Sequence, residues 1–337
     1  MKNKQISGKS YWDLVFRQFR KNKPAVWGLV LIGVLFLIAV FADLIANDKP
    51  LTCIYNQTRY FPAFRDMGVK TGLLSWQSNL ANIDWKSQDL QSDVWPLIPY
   101  LPSNLDYTAR FKPPGNEHVL GTDQIGRDVL SGMVHGSRIA LAVGFISMSI
   151  AILIGVIMGS IAGYFGGMAD ILIQRLIEVM MTIPNFFLII TVVAFYPGGG
   201  IWIIMVIIGL TSWPGIARFT RAEFLKVRNL DYVSSAIALG FSNRRTIFRH
   251  VLPNAIAPVL VIAAFGIASA ILTESSLSFL GFGSATTVSW GSILSVARGA
   301  TYAWWMAVFP GSAIFITVTI YNLVGEGLRD ALDPRLK

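Results

Sequence analysis

Residues 231–254, DYVSSAIALGFSNRRTIFRHVLPN, decide the fold, because they form a polar and basic segment between two strongly apolar runs. The pattern predicts a short helix over 231–239, a break at Gly240 and a second helix over 243–250. Leu252–Pro253 then leads into the next apolar run. A helical hairpin flanked by membrane spans is a poor place for catalysis, and we expect it to contact a partner protein.

The overall composition is typical of a protein that crosses a membrane several times. Hydrophobic residues make up 53% of the 337 positions and charged residues only 14%, whereas soluble domains carry about 25% charged residues. Several apolar runs approach the roughly 20 residues that a transmembrane helix needs. The net charge of +9 predicts basic cytoplasmic loops, and no run of basic and aromatic residues supports binding to nucleic acid.

Residues that could carry out chemistry are sparse. Cys53 is the one cysteine, which excludes an intrachain disulfide, and the three histidines lie in separate segments without metal-ligand spacing. Neither a G-x-x-x-x-G-K-[ST] phosphate loop nor a G-x-S-x-G elbow is present. We therefore predict no catalytic residue, no metal site and no cofactor bound by this chain, and any ATP and Mg must be used by partner subunits.

Hydropathy predicts an all-α membrane protein with six transmembrane helices. The N- and C-termini are expected in the cytoplasm, with a periplasmic insert between the first two helices. The predicted spans lie at about 25–46, 139–164, 171–195, 201–217, 255–273 and 305–323.

Basic residues set the predicted orientation. Lys and Arg are dense in the first 24 residues and around 231–254, and sparse over 47–138, and basic loops stay on the cytoplasmic side. The first apolar run is too long for a signal-peptide core, so an uncleaved span is favoured. The predicted organisation is a cytoplasmic tail 1–24, a first helix 25–46, a periplasmic insert 47–138, a transmembrane core 139–325 with a cytoplasmic coupling loop 218–254, and a cytoplasmic tail 326–337.

The insert 47–138 is rich in Trp, Tyr and Pro. It predicts a small, irregular domain at the membrane surface, where aromatic rings are favoured. Contact with a substrate is an open alternative to a purely structural role, and the structural role is favoured.

Three further patterns describe the spans. Arg175 and Glu178 lie three apart and are predicted to pair near the cytoplasmic headgroups. Pro184 is predicted to kink the third span. The G-x-x-x-G spacing repeated over 155–163 predicts a close approach of the second span to another helix.

Polar residues in the spans are candidates for lining a translocation pathway, although periodicity alone does not say which of them face it. Glu274 closes the fifth span, where it could bind an ammonium group or a proton, or cap the next helix. The structural role of Glu274 is favoured. The pathway candidates are Ser147, Ser149, Thr182, Asn185, Thr191 and Glu274.

The 231–254 segment resembles the cytoplasmic coupling loop of ABC importer permeases, whose pattern is roughly E-A-A-x-x-x-G-(x)9-x-L-P. Ser234, Ser235 and Ala236 occupy the E-A-A positions. Gly240 occupies the glycine and Leu252–Pro253 the closing pair. Ser234 replaces the leading glutamate, which removes the charge for an ion pair with the ATPase but not the loop itself.

Other segments are similar to the C-type subunit of dipeptide, oligopeptide and nickel permeases. They are HVLGTDQIGRD at 118–128, GSRI at 136–139, R-x-x-R-x-x-x-L at 218–225, ESSLSFLGFG at 274–283 and GLRDALDPR at 327–335. The insert 47–115 is similar to the branch linked to oligopeptides and microcin-like peptides.

The resemblance implies a permease subunit of a bacterial ABC importer that works by alternating access in the inner (cytoplasmic) membrane. Its partners would be a second, B-type permease subunit, two ATPase subunits, a substrate-binding protein and membrane lipid, with no nucleic acid. ATP-driven closure of the ATPases would move the coupling helix, and rigid spans would carry the motion outward. The contact with the ATPase would involve Tyr232, Val233, Ser234, Ser235, Ala236, Leu239, Gly240, Phe241, Arg244 and Arg245.

Peptides are the expected substrate, and nickel or another small solute is the alternative. The absence of metal-binding clusters from the sequence mildly disfavours nickel. A secondary transporter ranks lower, because no carboxylate lies deep in a span. A membrane scaffold or receptor also ranks lower, because the largest polar segment is predicted outside the cell.

Overall fold

The computed structural model describes residues 11–77, 80, 83–196, 198–284 and 287–332. The expectations placed on the first ten residues and on 333–337, including the end of the GLRDALDPR motif, lie outside these described residues. Helices account for most of the described chain.

The chain begins with three helices that include the first predicted span. They are α1 (Tyr11–Phe19), α2 (Lys23–Val40) and the short α3 (Ala42–Ile45). Helix α2 is apolar from Pro24 to Val40, as expected of a membrane-crossing helix.

The insert contains a three-stranded antiparallel sheet with the order β2-β1-β3, which the sequence analysis did not predict. Its elements are β1 (Thr52–Tyr55), β2 (Thr58–Tyr60), α4 (Pro62–Lys70), a 3-10 turn at Trp85–Ser87 and β3 (Gln91–Val94). Asn56 and Gln57 join β1 to β2 with positive φ angles of 47° and 61°, as a two-residue hairpin turn requires. The strands are only three or four residues long and lack an Asn-Gly turn, so their pattern is weak.

Long helices, joined by shorter ones, make up most of the described chain after residue 128. They are α5 (Val129–Phe165), α6 (Gly167–Thr182), α7 (Asn185–Phe195), α8 (Gly200–Arg228), α9 (Asp231–Ala238), α10 (Asn243–Thr246), α11 (Leu252–Phe279), α12 (Trp290–Val296) and α13 (Trp305–Leu332). Several extend beyond the predicted spans, because hydropathy marks only the apolar part of a helix. Helix α5, for example, begins ten residues before the predicted span.

Five helices of the described chain are long and apolar enough to cross a membrane, or six spans if the bent pair α6–α7 counts as one. The two helices of this pair meet at 79°. The disruption predicted at Pro184 is confirmed, and it is a break between two helices rather than a bend within one.

The second helix predicted for the 231–254 hairpin is wrong as a separate element. Helix α10 passes through a π-helical turn, Ile247–Val251, directly into α11. The Leu252 amide donates to the Ile247 carbonyl five residues back. Pro253 follows immediately, and a proline ring would clash with the carbonyl four residues before it in a regular helix. The wider turn relieves that clash, so the helix continues through Pro253.

The chain divides into two compact units. The first unit comprises Met1–Ile32, Val143–Thr273 and Ile316–Lys337. Within it, Met148, Ile216 and Val259 form a buried cluster contributed by α5, α8 and α11.

The second unit comprises Gly33–Ala142 and Glu274–Phe315. Within it, Val129, Ile293 and Met306 belong to one buried cluster. Residues 118–128, quoted above as a motif, build the start of α5: Asp128 accepts the Ser131 amide at 2.7 Å and bonds to His118 Nδ1 at 2.8 Å.

An ion-pair network lies at the end of α2 in this second unit. Asp43 binds Lys70 Nζ at 2.8 Å and Arg138 Nη1 at 2.9 Å. Arg138 also donates to the carbonyls of Ala39 and Val40, which are free at the C-terminus of a helix. These contacts join α2, α4 and α5.

Candidate coupling and translocation sites

Residues at the two ends of helix α9 explain where it begins and where it stops. Asp231 supplies an acidic side chain in the first turn, where the helix dipole stabilises it. At the other end Gly240 adopts a left-handed conformation with a φ of 76°. The Phe241 amide donates to the Ala236 carbonyl at 3.1 Å, and the Gly240 amide donates to the Ile237 carbonyl at 2.9 Å. These two bonds form a Schellman cap, and the break predicted at Gly240 is confirmed.

The residues predicted to contact an ATPase divide between two faces of α9. Val233 and Ala236 are 0% and 4% exposed. Val233 belongs to a buried cluster with Phe224 and Val251, so this face anchors α9 to its own chain. The rest of α9 and its C-cap are exposed, including Tyr232, Ser234, Ser235, Ile237 and Leu239.

Phe241 fixes the second half of the loop. The Arg245 guanidinium lies 4.1 Å from the centre of the Phe241 ring, and the same ring stacks on His250 at 5.8 Å. Ser242 accepts a hydrogen bond from the Arg245 amide and caps α10. Arg244 and Arg245 are exposed, so the loop presents positive charge as well as apolar side chains.

Tyr164, near the end of α5, joins the loop to two long helices. Its hydroxyl donates to Asn243 Oδ1 at 3.1 Å. Its carbonyl accepts from Arg228 Nη1 at 2.5 Å, and the same guanidinium lies 5.6 Å from the Tyr164 ring centre. Sequence reasoning missed this junction, because its partners lie 64 and 79 positions away.

The glycines over 155–163 hold α5 against α8. A Cβ atom on Gly159 would lie 2.5 Å from the Ala217 carbonyl oxygen, and one on Gly163 would lie 2.8 Å from the Arg221 carbonyl oxygen. A Cβ on Gly155 would lie 2.7 Å from the Ile216 side chain. The predicted close helix approach is confirmed, and the partner is α8.

A bidentate ion pair joins α6 to α8. Arg221 Nε and Nη2 donate to the two carboxylate oxygens of Asp170 at 2.5 and 2.6 Å. Such a fork-on-fork contact fixes direction as well as distance. The predicted pair of Arg175 and Glu178 is also confirmed, at 2.6 Å, but both side chains are exposed.

The break between α6 and α7 leaves a cavity of about 280 Å³. Asn185 begins α7 and has no side-chain hydrogen bond to any described residue. The cavity is also lined by Thr211, Ser212 and Ser269 from α8 and α11, and its apolar lining includes Met148 and Met181. Asn185 was predicted from the sequence and the other polar residues were not, although Pro214 within α8 was a signal of an irregular helix facing a cavity.

A second cavity, of about 300 Å³, lies between α6 and α8. It shares Met181 with the first and adds Thr182, Glu178 and Arg218. Arg218 Nη1 approaches the Met181 sulfur at 3.6 Å. The two predicted candidates Thr182 and Asn185 thus flank one break, and each lines a cavity.

The other pathway candidates lie elsewhere. Ser147 is fully buried and donates to the Met205 carbonyl at 2.8 Å, which packs α5 on α8. Ser149 and Thr191 are exposed and donate to carbonyls of their own helices. Glu274 is 1% exposed in the second unit and accepts from Ser278 at 2.6 Å. Because α11 continues to Phe279, Glu274 does not cap the next helix, contrary to the favoured expectation.

The loop itself offers hydrogen-bond donors and positive charge. Desolvation raises the pKa of Tyr232, so its hydroxyl stays protonated at neutral pH. It lies 3.5 Å from the His250 carbonyl.

Within the described ranges, no three His, Cys, Asp or Glu side chains come together in a way that could hold a metal ion.

Two family models match the chain. One, described as binding-protein-dependent transport system inner membrane component, covers residues 139–337. The other, described as the N-terminal TM domain of oligopeptide transport permease C, covers residues 10–63.

Relatives match over nearly their whole length. The dipeptide transport system permease protein DppC of Alkalihalophilus pseudofirmus is 33% identical, over 99% of this chain and 93% of the relative. The inner membrane ABC transporter permease protein YejE of Escherichia coli is 34% identical, over 94% and 95%. The oligopeptide transport system permease protein OppC of Bacillus subtilis is 32% identical, over 97% and 91%.

A solved structure supports the fold. The MetNI methionine ABC transporter in an inward-facing conformation gives a TM-score of 0.50 at 18% identity, covering 59% of this chain and 96% of that chain. At this identity the likeness concerns the fold alone.

Proposed function

The chain belongs to the family of inner-membrane components of binding-protein-dependent transport systems, and on that premise we propose that it moves peptides through the bacterial inner membrane. It is a membrane-spanning permease subunit of an ATP-driven importer, and in this family separate ATPase subunits hydrolyse ATP. Peptides are proposed because relatives along its full length are named as dipeptide and oligopeptide permeases.

The observation that supports the proposal is that α9 has one buried face, while its other side chains are exposed. Val233 and Ala236 hold one face of α9 to the chain, while Leu239 at its C-cap is 75% exposed. A short, anchored helix that exposes apolar side chains can enter a groove on a partner protein. Arg244 and Arg245 would border that groove and favour an acidic ATPase surface. Anionic lipid is the alternative contact for these two arginines.

The contacts of the coupling loop also allow it to transmit a movement of α9 to the long helices. Tyr164 ties Asn243 to the end of α5, and α5 is locked to α8 by its glycines. The Asp170–Arg221 pair then joins α8 to α6. A push on α9 would therefore reach the break at Pro184, where Thr182 and Asn185 line the proposed pathway. Alternating access needs such rigid elements around a bistable joint.

The proposed assembly contains a B-type permease subunit as heterodimer partner, two ATPase subunits that use ATP and Mg, and a substrate-binding protein. This chain would bind no cofactor of its own. We place residues 218–254 and both termini in the cytoplasm and the insert in the periplasm, from the distribution of basic residues.

Leu239→Asp tests the coupling role. A carboxylate at this exposed position does not disturb the buried face of α9, but it would be desolvated in an apolar groove at a cost of a few kcal/mol. In proteoliposomes holding the complete complex, we expect ATP-driven uptake of a labelled tripeptide to fall at least about tenfold. Leu239→Met is the matched control and should transport normally. Normal uptake by Leu239→Asp in an assembled complex would contradict the coupling role.

The substrate needs its own measurement. The same proteoliposomes should accumulate the labelled tripeptide and not ⁶³Ni²⁺, each supplied with the cognate binding protein. ATP-dependent nickel uptake without peptide uptake would favour the nickel alternative. Peptide uptake that persists with catalytically inactive ATPase subunits would instead indicate a secondary transporter.

A further inference from the structure

The insert carries a cavity of about 510 Å³ that neither coupling nor the proposed pathway uses. Its volume falls within the ~300–1,000 Å³ range of small-molecule sites. The lining is mainly aromatic and aliphatic, with two arginines. It comprises Arg59, Tyr60, Phe61, Pro62, Phe64, Arg65, Leu74, Trp76, Leu80 and Trp85.

Part of the apolar wall of the cavity is formed by buried aromatic residues that pack on each other. Trp85 is 2% exposed and belongs to a buried cluster with Cys53 and Leu80. Tyr60 packs on the Trp85 ring at 6.4 Å between centroids. By contrast Phe61 and Phe64, which meet edge to face at 6.4 Å, are each about half exposed. Buried aromatic rings therefore form one wall of the cavity, and the two half-exposed rings beside them are able to pack over a ligand.

The charged groups of the cavity lack anionic partners. The side chain of Arg59 makes no hydrogen bond or ion pair with any described residue, although its backbone belongs to β2. Arg65 uses Nε and Nη2 to bind the Ser75 carbonyl at 3.2 and 2.9 Å and lies 6.0 Å from the Trp76 ring. This contact holds the guanidinium in place and leaves Nη1 available. The lining residues include no carboxylate.

The polar side chains of the cavity are hydrogen-bond donors. The two guanidinium groups both donate and both carry positive charge, so an occupant must supply acceptors. It must also carry an apolar group that fits against aromatic rings.

We propose that this cavity binds the C-terminal end of a short peptide, with the terminal carboxylate on Arg59 and a bulky apolar last side chain against Phe64 and Trp76. A carboxylate suits a guanidinium better than any neutral acceptor, because the hydrogen bonds are charge-assisted. The choice of a peptide as ligand rests on the proposed function, whereas the preference for an apolar carboxylate rests on the cavity. The site would hold peptides on the insert, apart from the break between α6 and α7.

Photo-crosslinking of the complete, purified complex tests this site without requiring transport. The probe is alanyl-alanyl-para-benzoylphenylalanine as the free acid, and its C-terminal amide is the matched ligand control. We expect the free acid to label the lining residues between 59 and 85, and the amide to label them about tenfold less. Arg59→Gln should lower labelling by the free acid to the level of the amide, and Arg59→Lys should restore part of it.

Arg110→Gln is the matched protein control, because Arg110 is an exposed arginine of the same unit that does not line the cavity. It should label like the wild type. Equal labelling by acid and amide, unchanged labelling of Arg59→Gln, or labels found only outside 59–85 would each overturn the inference. A complex that imports peptides but shows no label here contradicts this inference alone. A complex that is labelled here but imports no peptide contradicts the proposed function alone.

Discussion

Asp43 shows how one residue can hold three helices of the second unit together. Burial opposes ionisation of its carboxyl group, but hydrogen bonds and charge from Lys70 and Arg138 outweigh this effect and lower its pKa below the ordinary value of 3.8. The carboxylate is therefore charged at neutral pH and paired on both oxygens. Removing it leaves two cations beside the end of α2 without their shared partner.

Asp43→Asn should destabilise the complex by about 2 kcal/mol at neutral pH, because it removes a buried carboxylate from charge-assisted hydrogen bonds with two cations that are themselves partly exposed. A group with a lowered folded pKa contributes stability above its unfolded pKa and loses it as the pH falls through the folded one. The melting temperature of the variant should thus lie below that of the wild type by a constant amount from pH 7 to about pH 5, and the gap should close only below about pH 4. Asp89→Asn, at an exposed site of the same unit, is the control and should melt like the wild type. A gap that already closes between pH 7 and about pH 5 would contradict the lowered pKa.

At the scale of the element, α5 and α8 approach so closely that backbone faces backbone. Gly155, Gly159 and Gly163 present one small stripe to α8, and Gly209 of α8 returns the contact, since its Cβ would lie 2.8 Å from the Ser147 carbonyl oxygen. In a membrane, helices gain little from hydrophobic burial against each other, so close van der Waals packing has to hold them. This interface is therefore sensitive to added volume.

Gly159→Leu should prevent the two helices from packing, because even a Cβ atom would lie 2.5 Å from the Ala217 carbonyl oxygen. Overpacking of this kind costs about 1–3 kcal/mol or more, and we expect a lower melting temperature and a lower yield of assembled complex. Gly215→Ala is the control on the partner helix, where a new Cβ meets no atom within 4 Å. If Gly159→Leu melts and assembles as Gly215→Ala does, the close contact is not essential.

Features that follow from local sequence were predictable, and features that join distant positions were not. Gly240 and Pro184 each determine the backbone conformation at their own position. The sequence therefore predicts the break after α9 and the break before α7. The G-x-x-x-G repeat likewise predicts that α5 packs closely against another helix, but it does not identify that helix as α8. The pairs Asp170–Arg221 and Tyr164–Asn243 join positions 51 and 79 apart, and no single-sequence pattern identifies them. The π turn before Pro253 was missed because a proline near a helix start is usually accommodated without it.

At the scale of the whole molecule, function depends on the sides of the membrane to which the coupling loop and the insert are exposed. The loop residues around Ser235 are proposed to meet ATPases in the cytoplasm, and the insert around Arg110 is proposed to lie in the periplasm. The loop and the insert were each assigned a side from the distribution of basic residues, and these assignments are independent of the coupling contacts. Both proposals, coupling and peptide binding, require this orientation.

Cysteine accessibility measures the orientation directly. In a Cys53→Ser background, which removes the one native thiol, Ser235→Cys and Arg110→Cys each place a single thiol at an exposed position. A membrane-impermeant maleimide should label Arg110→Cys in spheroplasts and not in inverted vesicles, because the insert would face the periplasm. Ser235→Cys should show the opposite pattern, and labelling of both after detergent treatment is the control for reactivity. Labelling of Ser235→Cys from the outside would place the loop away from any ATPase and would contradict the proposed mechanism, whatever the transport assays show.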